Sequence, residues 1–224
     1  MTTAKRRFDD KIALVTGASR GFGRAVAAAL GAEGAQVVAL ARTVGGLEEL
    51  DDQIQKASGK TAVLTPLDLK DGDGIDRLGA ALFQRFERVD ILVHAAAQGA
   101  RLTPVAHLDP PEIEELLAVN ATATHRLIRS IDPLLRQSSA PVYVQVHDPH
   151  AGLKYWGGYG ASKAAAAALA QSYAAETPSV RVMVYAPEPM PTALRARTHP
   201  GEDKSALASC AEMAAELLEG LADA

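Results

Sequence analysis

Short runs of β-branched and other apolar residues alternate along this chain with longer segments whose apolar positions follow helical spacing. The short runs are 12–16 (IALVT), 36–41 (QVVALA), 61–67 (TAVLTPL), 89–95 (VDILVHA), 142–146 (VYVQV) and 180–185 (VRVMVY). Helical patterns fill 21–33, 47–57, 74–86, 110–136 and 159–175, and a last one covers 205–221. Strands separated by helices predict a parallel sheet with helices on both faces. The near-continuous apolarity of the strands fits a sheet covered on both sides. No linker, low-complexity tract or repeat interrupts the alternation. The fold expected is a single α/β doubly wound Rossmann domain over residues 11–224, with a sheet of six strands. Residues 1–10 are expected to form a flexible arm, since chain ends are poorly ordered unless tied down.

In such sheets ligands sit beyond the carboxyl ends of the strands, where the strand order reverses. The residues to inspect are therefore those that follow strands one, two, four, five and six.

Composition narrows the function classes. The chain has 224 residues, 48% of them hydrophobic and 22% charged, which suits a globular domain and not a disordered one. A net charge of -4 argues against nucleic acid as a partner. A single cysteine, Cys210, excludes an internal disulfide and suits a reducing cytoplasm. No apolar run approaches the ~20 residues of a membrane span. The opening MTTAKRRFDD lacks the apolar stretch of a signal peptide. A soluble cytoplasmic protein is expected, with no membrane partner and no metal. His147 and His150 have no further ligand cluster beside them at structural-zinc spacing.

After strand one comes Thr16-Gly17-Ala18-Ser19-Arg20-Gly21-Phe22-Gly23, leading straight into a helix. Glycines let the backbone turn tightly and approach a pyrophosphate, and the helix start offers unpaired N–H groups. At the end of strand two, where an NAD site usually carries an acid for the ribose, this chain has Ala41 and Arg42. An arginine pairs with a 2′-phosphate that a carboxylate would repel. Arg42, with Arg20 as a second cation, predicts NADP(H) in preference to NAD(H). The plainer alternative makes both arginines solvated surface charges.

Four motifs in order resemble the short-chain dehydrogenase/reductase family: TGASRGFG, Asp68 within PLDL, Asn120 within LAVN, and Tyr159-Gly160-Ala161-Ser162-Lys163. The likeness runs from about residue 11 to 192, and Trp156-Gly157-Gly158 before the tyrosine is similar to a bacterial subgroup. The resemblance implies an oxidoreductase acting on a carbonyl or alcohol. It implies cofactor contacts at Gly17, Ser19, Arg20, Gly21, Phe22, Gly23, Arg42, Asp68, Leu69, Ala95, Ala96, Tyr159, Lys163, Pro187 and Thr192. Asp68 would meet the adenine and Thr192 the carboxamide side. Tyr159 would be the acid/base, Lys163 its tuner and ribose anchor, and Asn120 the anchor of a relay water.

Tyr159 and Lys163 are spaced i, i+4, so a helix places them on one face. A nearby ammonium lowers a tyrosine pKa from about 10 toward neutrality, which would suit proton transfer to a carbonyl oxygen. The plainer alternative is a buried tyrosine beside a snorkelling lysine.

The departures from the family pattern cluster at the substrate end. A serine is expected thirteen positions before the tyrosine, and Val146 stands there, flanked by Gln145, His147, Asp148 and His150. His147 is a candidate replacement donor, although alternation along the strand points it away unless the strand ends at 146. His94-Ala95-Ala96-Ala97 replaces Asn-Asn-Ala-Gly, and Pro187-Glu188 replaces Pro-Gly. Two readings stay open: an NADP(H)-dependent enzyme with an atypical site, or a catalytically impaired NADP(H)-binding sensor or scaffold. The substrate pocket would be built from the 94–103, 147–156 and 190–200 segments, and would suit a partly apolar carbonyl or alcohol.

The sequence stops at EMAAELLEGLADA without the family's seventh strand, so one sheet edge is expected to lie open or under the last helix. By resemblance, pairing through the 112–136 and 159–175 helices predicts a homodimer.

Overall fold

The structure is a computed structural model that describes residues 6–222. Six parallel strands run β1 Ile12–Thr16, β2 Gln36–Ala41, β3 Val63–Pro66, β4 Ile91–His94, β5 Val142–Val146 and β6 Arg181–Tyr185. Their order across the sheet is β3-β2-β1-β4-β5-β6, so direction of travel reverses between β1 and β4. Register aligns the carboxyl ends around that point. Thr16 of β1 pairs with both Leu40 and His94, and His94 pairs with Gln145 of β5. The crevice above these ends is where a doubly wound sheet binds its ligand.

The helices are α1 Gly21–Ala32, α2 Val44–Ser58, α3 Gly72–Phe86, α4 Pro110–Leu117, α5 Ala123–Leu135, α6 Gly157–Glu176, α7 Ala193–Thr198 and α8 Cys210–Ala222. One face of the sheet is covered by α1, α2 and α8, through Val26, Leu30, Leu47, Ile54 and Leu217. The other is covered by α3, α5 and α6, through Ile75, Leu127, Ile131 and Tyr173. Alternating β5 residues serve both cores: Val142 and Val144 face the first, Tyr143 the second. The two-sided apolarity of the strands is thereby explained.

Four expectations are corrected. The helical pattern over 110–136 is two helices joined by a wide π-type turn, Ala118–Thr122, whose Asn120 carbonyl accepts a bond from Thr124 Oγ1 at 2.8 Å. Such bulges keep the apolar period nearly unchanged, so periodicity does not reveal them. The last helix begins at Cys210, because 204–206 forms only a single 3₁₀ turn. Helix α7 is additional to the predicted elements, since six residues carry too little periodicity to register. Finally, the expected flexible arm falls partly on residues 1–5, which lie outside the described residues. From Arg6 onward the chain is docked: Phe8 is buried in the core, its N–H bonds to Glu33 at 2.9 Å, and Asp9 pairs with Lys60 at 3.3 Å.

At the β6 edge, α8 packs on α1 and on Met183 and Tyr185. Arg181 donates to the Gly220 carbonyl at 3.0 Å, and the Tyr185 hydroxyl to Glu216 at 3.1 Å.

Candidate active site

A cavity of about 730 Å³ lies above the carboxyl ends of the strands. Every residue expected to touch a cofactor lines it: Gly17, Ser19, Arg20, Gly21, Phe22, Gly23, Arg42, Asp68, Leu69, Ala95, Ala96, Tyr159, Lys163, Pro187 and Thr192. The cavity also takes in Ala97, Val146, His147, Asp148, His150, Trp156, Glu188 and Leu194.

The β1–α1 turn has the shape that a dinucleotide requires. Gly17 adopts φ +70°, and a Cβ there would meet the Ala96 backbone at 2.9 Å. A Cβ on Gly23 would meet the Gly17 carbonyl oxygen at 2.5 Å. Helix α1 takes no side-chain cap and has no acid in its first turn, so its positive end faces the cavity uncompensated. These features fit a pyrophosphate. At the β2 end Arg42 is exposed, with its guanidinium 3.9 Å from the Asp68 carboxylate. A contact so long and so exposed is weak.

At the other end of the cavity, α6 presents Tyr159 and Lys163. The Lys163 ammonium donates to the Val146 carbonyl at 2.6 Å, and burial pushes its pKa down to about 8. The Tyr159 hydroxyl donates to Asp148 Oδ2 at 3.0 Å. Its pKa is raised above the ordinary value, first by burial and then by the Asp148 carboxylate. The expected lowering of the tyrosine pKa is therefore corrected for this arrangement. Burial of the phenol, and after it the Asp148 carboxylate in direct contact, both disfavour the phenolate.

Asn120 is buried and, unlike Tyr159 and Lys163, does not line the cavity. Its side chain bonds both polar groups of the Gln98 backbone, at 2.7 and 2.9 Å, and reaches Ser162 Oγ at 2.9 Å. Asn120 thus ties the loop after β4 to α6, behind the cavity wall. Thr192, besides lining the cavity, caps α7: its hydroxyl accepts from the Arg195 N–H at 3.2 Å.

Val146 ends β5 with an apolar side chain that packs against the α1-side core. His147 extends the β5–β6 pairing, with its N–H on the Tyr185 carbonyl at 2.7 Å. Its Nδ1 is buried without a hydrogen-bond partner, and burial followed by the Lys163 charge lowers its pKa. The group that meets the Tyr159 hydroxyl is Asp148, which no motif singles out. The signal available is its place two residues past β5, in the segment HDPH. Beside it, His150 stacks on Trp156 with ring centroids 3.8 Å apart, and its Nδ1 lies against Asp148 Oδ1 but, like that of His147, is buried without a hydrogen-bond partner.

Deeper still, His94 is fully buried. Its Nδ1 lies 2.7 Å from Thr16 Oγ1, which also accepts from the Ala96 N–H at 3.1 Å. Its Nε2 has no partner, and burial followed by the Lys163 charge drives its pKa down to about 3.

This fold, with a glycine-rich turn and a Tyr–Lys pair at the switch point, defines a nicotinamide-dependent oxidoreductase class. The short chain dehydrogenase family model matches residues 11–203, and the chain belongs to that family of NAD(P)-dependent oxidoreductases. It is 30% identical over 210 residues to the oxidoreductase YciK of Escherichia coli K12, covering 92% of this chain and 83% of that protein. It is 32% identical over 161 residues to the 2,3-dihydro-2,3-dihydroxybenzoate dehydrogenase of Bacillus subtilis 168, covering 70% of this chain but only 60% of that enzyme. Among solved structures, a short chain dehydrogenase of Escherichia coli CFT073 complexed with NADPH superposes with a TM-score of 0.89 at 29% identity. That match covers 96% of this chain and 92% of the other. Among the described residues, no helix is long and apolar enough to cross a membrane.

Proposed function

We propose that the protein is an NADP(H)-dependent reductase or dehydrogenase acting on a carbonyl or alcohol, with an atypical substrate end. The observation that carries this reading is the continuous cavity that joins Arg42 and Arg20 at one end to Tyr159 and Lys163 at the other. NADP or NADPH complexes of similar chains support the choice of nucleotide.

Gly17, Gly21 and Gly23 with the start of α1 would hold the pyrophosphate, and Arg42 and Arg20 the 2′-phosphate. Asp68 and Leu69 would flank the adenine, with Ala95, Ala96 and Pro187 lining the path to the far end. When bound, the nucleotide would supply hydride exchange with the reacting carbon. Tyr159 would give a proton to the substrate oxygen or take one from it. Lys163 places a positive charge at the end of β5, and Asn120 holds the loop that shapes the wall. Val146 gives the substrate oxygen no donor, so the site lacks the serine of its family. Loss of one donor of that kind costs on the order of 10²–10³ in rate in a hydrolase. Slow turnover is therefore the expectation. Trp156, Leu194 and Val146 favour a partly apolar substrate.

The reading extends to a homodimer through α4, α5 and α6, to be checked by light scattering, and to a reducing cytoplasm, on its one cysteine. The deciding experiment is titration with NADPH and with NADH, followed by a carbonyl screen against the Tyr159→Phe variant as blank. NADPH-selective binding with Tyr159-dependent turnover is the expected result. Selective binding without turnover would favour a sensor or scaffold, for which Val146, Ala97 and Glu188 speak.

A further inference from the structure

We propose that Asp148 is the proton acceptor for Tyr159. The proposal rests on the reading of Tyr159 as the acid/base given above.

The geometry runs in one line. The Tyr159 hydroxyl donates to Asp148 Oδ2 at 3.0 Å, while the opposite oxygen of the same carboxylate lies against His150 Nδ1 without a hydrogen bond. The His150 ring is fixed by stacking on Trp156, which is itself buried against Tyr159. Asp148 is half-buried and lines the cavity, so it faces both the phenol and solvent. Lys163 is committed to the Val146 carbonyl. A carboxylate accepts protons and donates none when ionised, so Asp148 cannot replace a serine as donor to a carbonyl oxygen. It can take the proton that a phenol must lose. Burial and the carboxylate both raise the Tyr159 pKa, consistent with a tyrosine that stays protonated until a base relieves it.

In alcohol oxidation the substrate O–H bond breaks as its proton moves to Tyr159 Oη. The Tyr159 proton passes at the same time to Asp148 Oδ2, leaving a neutral carboxyl group. The electron pair of the C–H bond leaves as hydride to the oxidised nicotinamide dinucleotide, and Asp148 then loses its proton to solvent. Carbonyl reduction is the reverse and begins from protonated Asp148. The titratable and charged groups around Asp148 are Tyr159 and Lys163 from α6, His147 and His150 from the β5–α6 segment, and Arg195 from α7. Arg195 is held by Glu202 at 2.6 Å through both carboxylate oxygens.

The test is NMR of protein labelled with ¹³C at tyrosine Cζ, with the Tyr159 signal assigned by the Tyr159→Phe variant. The wild-type Tyr159 signal is expected to show an inflection in the acid range where a neighbouring carboxylate titrates. Asp148→Asn should abolish the inflection. A Tyr159 signal that is flat across that range in the wild type overturns the proposal, and this arm needs no variant at position 148 to fold. In turnover, Asp148→Asn should lower kcat for alcohol oxidation about 10²-fold. An inflection in a protein that turns over nothing would sink the enzymatic reading and with it the base role of Asp148. Full oxidation activity in Asp148→Asn would overturn the base role alone.

Discussion

The ammonium of Lys163 and the carbonyl of Val146 meet at 2.6 Å, so the lysine is bound to the end of β5, one turn of α6 beyond Tyr159. Gln145 Nε2 shares that carbonyl at 3.2 Å. Burial lowers the Lys163 pKa from 10.5 to about 8. Between those values the unfolded chain binds the extra proton, so stability rises with pH across that window. Below it, the buried charge is a standing cost of about 3 kcal/mol before its hydrogen bond offsets part of it. Lys163→Met should therefore raise Tm at pH 7, by about 2–4 °C for a net gain of ~1 kcal/mol. The gain should shrink toward pH 10. Thermal unfolding at the two pH values checks this, and an equal gain at both contradicts it. The same variant should lose any Tyr159-dependent turnover.

Arg42 is exposed and only weakly engaged by Asp68, which leaves it available to an incoming phosphate. Arg42→Ala should weaken NADPH binding about tenfold, as loss of a charge-assisted contact worth about 1.5 kcal/mol would. NADH binding should hardly change. Paired fluorescence titrations decide the matter. Equal losses for both nucleotides would show that Arg42 does not read the 2′ position.

Gly17 combines φ +70° with a backbone neighbour 2.9 Å from where a Cβ would stand. Gly17→Ala must open the gap between the β1–α1 turn and Ala96. The backbone conformation alone costs about 1–2 kcal/mol in a non-glycine residue, and the clash adds to it. A Tm fall of at least several degrees is expected, together with loss of nucleotide binding.

His94 is buried neutral, with its pKa lowered from 6.5 to about 3 by burial and then by Lys163. As pH falls from 6.5 toward 3, the unfolded chain gains a proton that the folded one refuses, so this contribution to stability is lost over that window. His94→Asn removes the titration and keeps a hydrogen-bonding group beside Thr16. Its urea midpoint, relative to wild type, should be better at pH 4.5 than at pH 7.5. A pH-independent difference would mean that His94 is not the titrating group.

The sheet is legible in the sequence because strands covered on both sides must be apolar runs, and the bounds of β5 follow to the residue. The nucleotide end is legible for a different reason: a pyrophosphate needs backbone that only glycine allows, so Gly17, Gly21 and Gly23 have to appear at fixed places. Arg42 can be read because β2 sets where its side chain emerges. The sequence by itself thus determined the fold, the family and the glycine-rich end of the cavity.

Tertiary structure decided how the catalytic end is wired. Which group meets the Tyr159 hydroxyl depends on the path of the chain from Val146 to Trp156, and a loop has no periodicity from which to read that path. Spacing placed Tyr159 and Lys163 on one helical face. Burial and the approach of Asp148 then reversed the direction of the tyrosine's pKa. Proton affinity is set by everything within a few ångströms, most of it distant in sequence, and only the folded chain brings those groups together.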